Sequence, residues 1–188
     1  MKAPFKPRRA PPPLREASLQ ELAIRYAGKY ATTRAKLRDY LSRKLRERGW
    51  AGECEPGLEA LADRFAELGY IDDASYALGQ SRSLSSRGYG KRRVAQKLRI
   101  AGVEEADSAE ANALAEDEAV NAAVRFAERR RLGPFADASP DPRQREKWIA
   151  AMIRAGHRFA LARAIAEMPP GSAIDEEGLR ERAGTTEL

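Results

Sequence analysis

The chain has 188 residues, 43% of them apolar, enough to bury a core in one compact domain or in a few small stacked units, which excludes a protein disordered throughout. Its 34 Lys and Arg against 28 Asp and Glu leave a formal charge of +6 and a pI near 9.6, a balance that suits polyanionic partners without requiring them. A single cysteine, Cys54, excludes an internal disulfide framework, and there is neither an apolar run of the ~18 residues a membrane span needs nor an amino-terminal signal core, so a cytoplasmic protein is expected.

The first 16 residues, MKAPFKPRRAPPPLRE, hold five prolines and a net charge of +4. They read as a disordered, non-helical leader over 1–17, either a solubilising tail or a basic arm for DNA phosphates or a proline-binding partner. Ser18 and Glu21 have the spacing of a capping box, and Leu37, Leu41 and Leu45 then recur at helical intervals up to Gly49. Further on, Leu58, Leu61, Ala62, Phe65 and Leu68 line one apolar face of a helix that Gly69 ends. Asp72 and Asp73 can cap the next helix, expected over about 74–86, and the turn Arg87-Gly88-Tyr89-Gly90 breaks it. Another helix opens on Lys91, Arg92 and Arg93.

Between Ser81 and Gly102 there are seven bases (82, 87, 91, 92, 93, 97 and 99) and no acid, whereas Val103 to Ala119 holds seven acids and no base. The two runs pair within the molecule, or form a solvated helix face, or act as a device that keeps the basic surface away from nonspecific DNA. Asp107 with Glu110, and Asp141 with Gln144 behind Pro142, mark two later helix starts, and Leu132–Ser139 between them reads as a loop. The last 18 residues read as a polar, fraying tail over 171–188.

Three stretches end alike, at Gly49, Gly102 and Gly156, with spacings of 53 and 54 residues. A near-constant period of this kind indicates a repeat whose units stack to bury their faces. With β-branched runs and period-two alternation nearly absent, the expected fold is all-α: an elongated array with units at 18–57, 58–106 and 107–170.

Little in the chain supports catalysis. His157, the sole histidine, sits beside the Gly156 turn where it can bond a helix end, and Cys54 is flanked by acids that raise a thiol pKa. Gly88-Tyr89-Gly90 lacks the preceding strand and third glycine of a dinucleotide fingerprint, and Gly90-Lys91 is followed by Arg92 where a phosphate loop needs Ser or Thr. No enzyme, cofactor or metal is expected. Tyr26, Tyr30, Tyr40, Trp50, Phe65, Tyr70, Tyr76, Phe126, Trp148 and Phe159 fall mostly on apolar stripes and read as core. Tyr89, between two glycines, either anchors its turn or reaches a partner.

The segments Leu68-Gly69-Tyr70-Ile71-Asp72-Asp73-Ala74-Ser75-Tyr76-Ala77 and Arg87-Gly88-Tyr89-Gly90-Lys91-Arg92-Arg93, followed by Gln96-Lys97-Leu98 and Gly102, closely resemble the RecX family, bacterial regulators of the RecA recombinase. The likeness continues more weakly from about Leu19 to Met168, with Lys36 standing where the family commonly has a glutamate. The resemblance implies repeated three-helix units and a non-enzymatic regulator that binds the RecA filament on single-stranded DNA. It implies inhibition of ATP hydrolysis and strand exchange, and so modulation of recombination, repair and the SOS response, by a monomer. Gly69, Tyr70, Asp72, Asp73, Tyr76, Gly88 and Gly90 are its structural motif, and Arg82, Arg87, Tyr89, Lys91, Arg92, Arg93 and Lys97 the expected partner or DNA contacts. The alternative from the residues themselves is a sequence-tolerant helix-turn-helix protein, with direct DNA binding through Lys91, Arg92 and Arg93 at a groove.

Overall fold

The computed structural model describes residues 11–184, and among them the regular structure is ten α-helices and one short 3₁₀ turn, with a single isolated bridge in place of any sheet. The all-α expectation holds. The chain divides into two compact units, Met1–Asp72 and Asp73–Leu188.

The first unit is built from α1 (Glu16–Lys29), α2 (Arg34–Arg48) and α3 (Leu58–Glu67). Its core joins Leu19 and Ala23 of α1, Leu37 and Leu41 of α2, Ala62 and Phe65 of α3, and Ile71 beyond them. The apolar stripes read from the sequence face this core, with Leu37, Leu41, Ala62 and Phe65 buried, Leu45, Leu58 and Leu61 partly buried, and Leu68 52% exposed past the helix end. Two expectations about helix starts change. Ser18 is the fourth residue of the capping arrangement and not its first: Arg15 N–H donates to Ser18 Oγ at 2.8 Å and α1 begins at Glu16. In α2, Thr33 accepts from Lys36 N–H at 3.1 Å, so the hydroxyl half of a capping box survives the replacement of its usual glutamate.

The leader expectation also changes where the chain is described. Residues 1–10 lie outside the described residues, but Leu14 is fully buried and pairs its backbone with the turn after α2, Leu14 N–H to Gly49 O at 2.9 Å and Ala51 N–H to Leu14 O at 2.8 Å. Arg48 donates twice to Pro12 O, at 2.8 and 3.0 Å. Proline prevents helix here without preventing docking, because an extended strap satisfies its polar groups across a neighbouring turn.

The second unit contains α4 (Asp73–Ser86), α5 (Lys91–Ile100), α6 (Glu105–Asp117), α7 (Ala119–Arg130), the 3₁₀ turn Gly133–Phe135, α8 (Pro142–Arg154), α9 (Phe159–Glu167) and α10 (Glu176–Gly184). Small residues let α4 and α6 lie close: Ala77 and Ser81 face Ala111 and Ala115, and Ser81 Oγ donates to Ala111 O at 2.7 Å inside the contact. A second core gathers Val120, Phe126, Trp148, Met152, Leu161 and Ile165 from α7, α8 and α9. Asp141 caps α8 as its spacing predicts, accepting from Gln144 N–H at 2.7 Å, whereas Asp107 lies inside α6, whose cap position is Glu104. The 132–139 loop is packed rather than open, with Leu132, Gly133 and Pro134 buried. The tail is a correction as well, since α10 docks Leu179 into the second core; residues 185–188 lie outside the described residues.

The glycines that set the period end α2, α5 and α8, the middle helices of α1–α3, α4–α6 and α7–α9. Helix α3 packs within the first compact unit, whereas the sequence spacing groups it with the segment that follows.

Candidate partner-binding surface and its glycine support

Helices α3, α4, α5 and α8 all close on one hydrogen-bond pattern, in which a positive-φ glycine and the residue after it bond back into the last turn. For α4 these bonds are Gly88 N–H to Ser85 O at 2.9 Å and Tyr89 N–H to Leu84 O at 3.0 Å. Gly69 does the same for α3, Asp72 then stands just before α4, and Asp73 is its buried first residue. Tyr76 is buried, while Tyr70 is 56% exposed and leans its ring on Phe65 at 5.4 Å, so of these two tyrosines only Tyr76 belongs to a packed interior.

The Gly88-Tyr89-Gly90 turn is a packing junction. A Cβ on Gly88 would come within 2.9 Å of Phe126 N, and one on Gly90 within 2.4 Å of Gly156 O. Gly156, in turn, has φ +98° and no room for a side chain beside Arg93 N and Gly90 O. The bare backbones are stitched by Gly90 N–H to Ala155 O at 3.0 Å and Arg92 N–H to Gly156 O at 3.2 Å. His157, 2% exposed, donates from Nε2 to Gly88 O at 3.1 Å and sets its ring edgewise on Phe126, 5.5 Å between centroids. That carbonyl accepts only, which fixes the proton on Nε2. Burial holds the ring pKa down to about 4, outweighing the hydrogen bond to Gly88 that favours the charged form. His157 thus fastens the α8–α9 turn to the end of α4, as its place beside Gly156 suggests.

Tyr89 is half-buried and packs against both hydrophobic clusters of the second unit, with the Arg87 guanidinium 5.5 Å from its ring centre. This packing gives it an anchoring role and leaves the side chain part-exposed. Arg87 is exposed, and its carbonyl accepts from Arg129 Nη1 at 2.5 Å.

The seven bases separate by position. Val94 and Leu98 turn into the core, so the helical period carries Arg92, Gln96 and Arg99 to the opposite side of α5. Lys91 lies toward the interior and is paired: its Nζ is 2.6 Å from Glu116 Oε2, while Arg158 approaches the other carboxylate oxygen at 2.9 Å. Arg93 donates to Gln96 Oε1 at 2.9 Å. Arg82, Arg92, Lys97 and Arg99 are exposed and have no ion partner among the described residues. The charge inversion is therefore settled internally at one base of the seven. Arg99, together with Ile100, 72% exposed beside it, was absent from the expected contacts although the i, i+4, i+7 register of Arg92, Gln96 and Arg99 signals a shared face.

This arrangement opposes the helix-turn-helix alternative in its simple form. A recognition helix offers its first turn to the groove, but here the first turn of α5 is bonded to Gly156 and Lys91 is occupied by Glu116. What faces outward is one side along the length of the helix, through Arg92, Gln96 and Arg99.

No family model matches the chain. A Regulatory protein RecX of Myxococcus xanthus is 32% identical over 178 residues, 90% of this chain and 92% of that protein. Another Regulatory protein RecX, from Agrobacterium fabrum, is 34% identical over 148 residues, covering 76% of this chain and 78% of its own. The crystal structure of RecX from Lactobacillus salivarius superposes with a TM-score of 0.56 at 18% identity, over 79% of this chain and 92% of that one. A second crystal structure of regulatory protein RecX gives 0.55 at 20% identity, over 80% and 72%. The two structures agree on the helical fold, and with a relative at that identity aligned over nearly the full length of both sequences, this chain belongs to the RecX family of regulatory proteins.

Proposed function

We propose that this RecX-type regulator binds RecA filaments assembled on single-stranded DNA and lowers their ATP hydrolysis and strand exchange while performing no chemistry itself. In the cytoplasm it would thereby restrain recombination, DNA repair and the SOS response. The observation that carries the reading is kinship with a RecX protein over 90% of the chain. The unpaired outward bases Arg82, Arg92, Lys97 and Arg99 support it, because acidic protein surface and DNA phosphate both demand cations free of internal partners. The chain acts as a monomer whose helical units run along the filament, so that many modest contacts add by geometry. Inhibition then requires only that a less active filament state, or a blocked filament end, bind the regulator more tightly than the active state does.

The test adds the full chain to its cognate RecA on single-stranded DNA with ATP and follows hydrolysis and strand exchange. Both should fall. Replacing Arg92, Lys97 and Arg99 by Glu together should release the inhibition, while Arg180→Glu, which reverses an exposed base already paired with Glu176 on α10, should not. Unchanged RecA turnover at saturating protein and low salt refutes the reading.

A further inference from the structure

The first unit carries an aromatic and basic groove that the basic helix of the second unit does not explain. Tyr26 and Tyr30 stand one helical turn apart near the end of α1, and Tyr40 comes from α2. Their rings form a row: Tyr40 stacks on Tyr26 with centroids 4.3 Å apart and planes 11° from parallel, and Tyr30 follows Tyr26 at 5.4 Å, tilted by 53°. Cations border the row, Lys29 Nζ 5.3 Å from the Tyr30 centroid and Arg43 and Lys44 5.7 and 5.9 Å from that of Tyr40. Arg25, Lys29 and Arg43 line, with the three rings, an open groove of about 430 Å³, within the ~300–1,000 Å³ range of small-ligand sites.

Packing accounts for two of the three rings. Tyr26 and Tyr40 rest against the first core, but Tyr30 stands outside that cluster and is 50% exposed. The charge around it is unbalanced, since α2 alone carries seven bases and two acids. Arg25 reaches Glu21 at 3.7 Å, and Glu47 serves both Arg43 at 3.8 Å and Lys44 at 2.5 Å. All are surface pairs one turn apart on a helix, weak in water, so an incoming anion can replace the carboxylates. Lys29 has no ion partner among the described residues.

We propose that this groove binds single-stranded nucleic acid, with an unpaired base stacked on Tyr30 and the flanking phosphates met by Lys29, Arg25 and Arg43. A flat exposed ring beside cations that are unpaired, as Lys29, or held only in weak surface pairs, as Arg25 and Arg43, is how sequence-tolerant single-strand binders work: the π-face takes any base and the cations follow the backbone. An acidic peptide would use the charges and leave the row of rings without a purpose. The inference gives the single strand of the proposed filament complex a contact in the first unit, but it needs no RecA and is tested without it.

The full chain is titrated into a fluorescein-labelled oligothymidylate at low salt. Tyr30→Ala should weaken binding at least about fivefold, the lower end of what one stacked base contributes, and Tyr30→Phe should stay close to wild type. Lys29→Ala with Arg43→Ala should flatten the salt dependence. Irradiating wild type with an iodouracil-containing strand should crosslink Tyr30 or Tyr26, which tests the site without any substitution. Tyr30→Ala binding as wild type does, crosslinks confined to the second unit, or polyglutamate displacing the oligonucleotide as well as unlabelled strand does, would each overturn the proposal. RecA inhibition lost with this groove intact, or retained with it inactive, separates the failure of one reading from that of the other.

Discussion

Acidification should weaken the second unit through His157 by an amount that its burial sets. The ring is 2% exposed, Nε2 is spent on Gly88 O, and Nδ1 has no hydrogen-bond partner among the described residues. A second ring proton would therefore be buried without an acceptor, which is why the native pKa falls to about 4 from an ordinary value of 6.5. Above pH 6.5 both folded and unfolded chains hold the ring neutral and it contributes nothing to pH dependence. Between 6.5 and 4 the unfolded chain binds a proton that the native one refuses, so stability falls with falling pH by ~1.4 kcal/mol per unit and levels off below 4. The loss amounts to about 2 kcal/mol at pH 5 and about 3 kcal/mol in full. Urea unfolding followed by Trp148 fluorescence in a Trp50→Phe background reads this unit, and His157→Gln is the reference, since it keeps an N–H for Gly88 but does not titrate. The gap between the two stability profiles should be constant above pH 6.5 and change by about 2 kcal/mol at pH 5. His157 is the only histidine, so its ring resonances report the native pKa directly. Parallel profiles, or a native ring titrating near 6.5, refute the reasoning.

Gly90→Ala should cost the second unit ~1–3 kcal/mol, because the new methyl meets the backbone of Gly156 and His157, while Gly79→Ala, in open space inside α4, should gain ~0.5–1 kcal/mol; melting temperatures that move together would contradict both. Arg131 ends α7 at φ +51°, the only described non-glycine residue with positive φ, so Arg131→Gly should raise stability in urea by roughly 0.5–1 kcal/mol, its exposed 3.6 Å pair with Asp137 offsetting little. Glu116→Gln releases Lys91 and Arg158 together and should steepen the salt dependence of heparin binding by about one unit of slope, whereas an unchanged slope means the carboxylate masks nothing.

What the sequence disclosed and what it hid follow from how local each signal is. Helix ends were legible wherever a glycine or a capping carboxylate imposes a conformation on its immediate neighbours, as at Gly69, Gly102, Gly156 and Asp141. The strap through Leu14 was not, because its bonds run to Gly49 and Ala51, thirty-five and more residues away, and proline composition speaks only to the absence of helix. The docked α10 was hidden for a related reason: Leu179 and Ile174 are too few to form a stripe, yet one leucine suffices where a core presents a place for it. The tyrosines of α1 and α2 read as core because apolar spacing and stacking spacing on a helix are the same, and only the exposure of Tyr30 and the cations beside its ring distinguish them.

The family motif itself joins two kinds of residue with separate duties, which decides how it should be dissected. Gly88 and Gly90 are required by backbone contacts to Phe126 and Gly156, and Tyr89 bridges two hydrophobic clusters, so substituting any of them disturbs the fold before it tests a partner. Lys91 is held by Glu116, and reversing its charge would place two carboxylates together near Arg158. Arg92 alone of Lys91, Arg92 and Arg93 combines exposure with the absence of any side-chain partner among the described residues. A variant pairing Tyr89→Ala with Arg92→Glu would thus mix a packing loss with a charge change, and its loss of inhibition would identify neither. Arg92, Lys97 and Arg99 are exposed on α5, the first and last on its outer side and Lys97 on its flank, and none supports its packing, so their joint reversal separates the charge that meets a partner from the glycines that hold the helix in place.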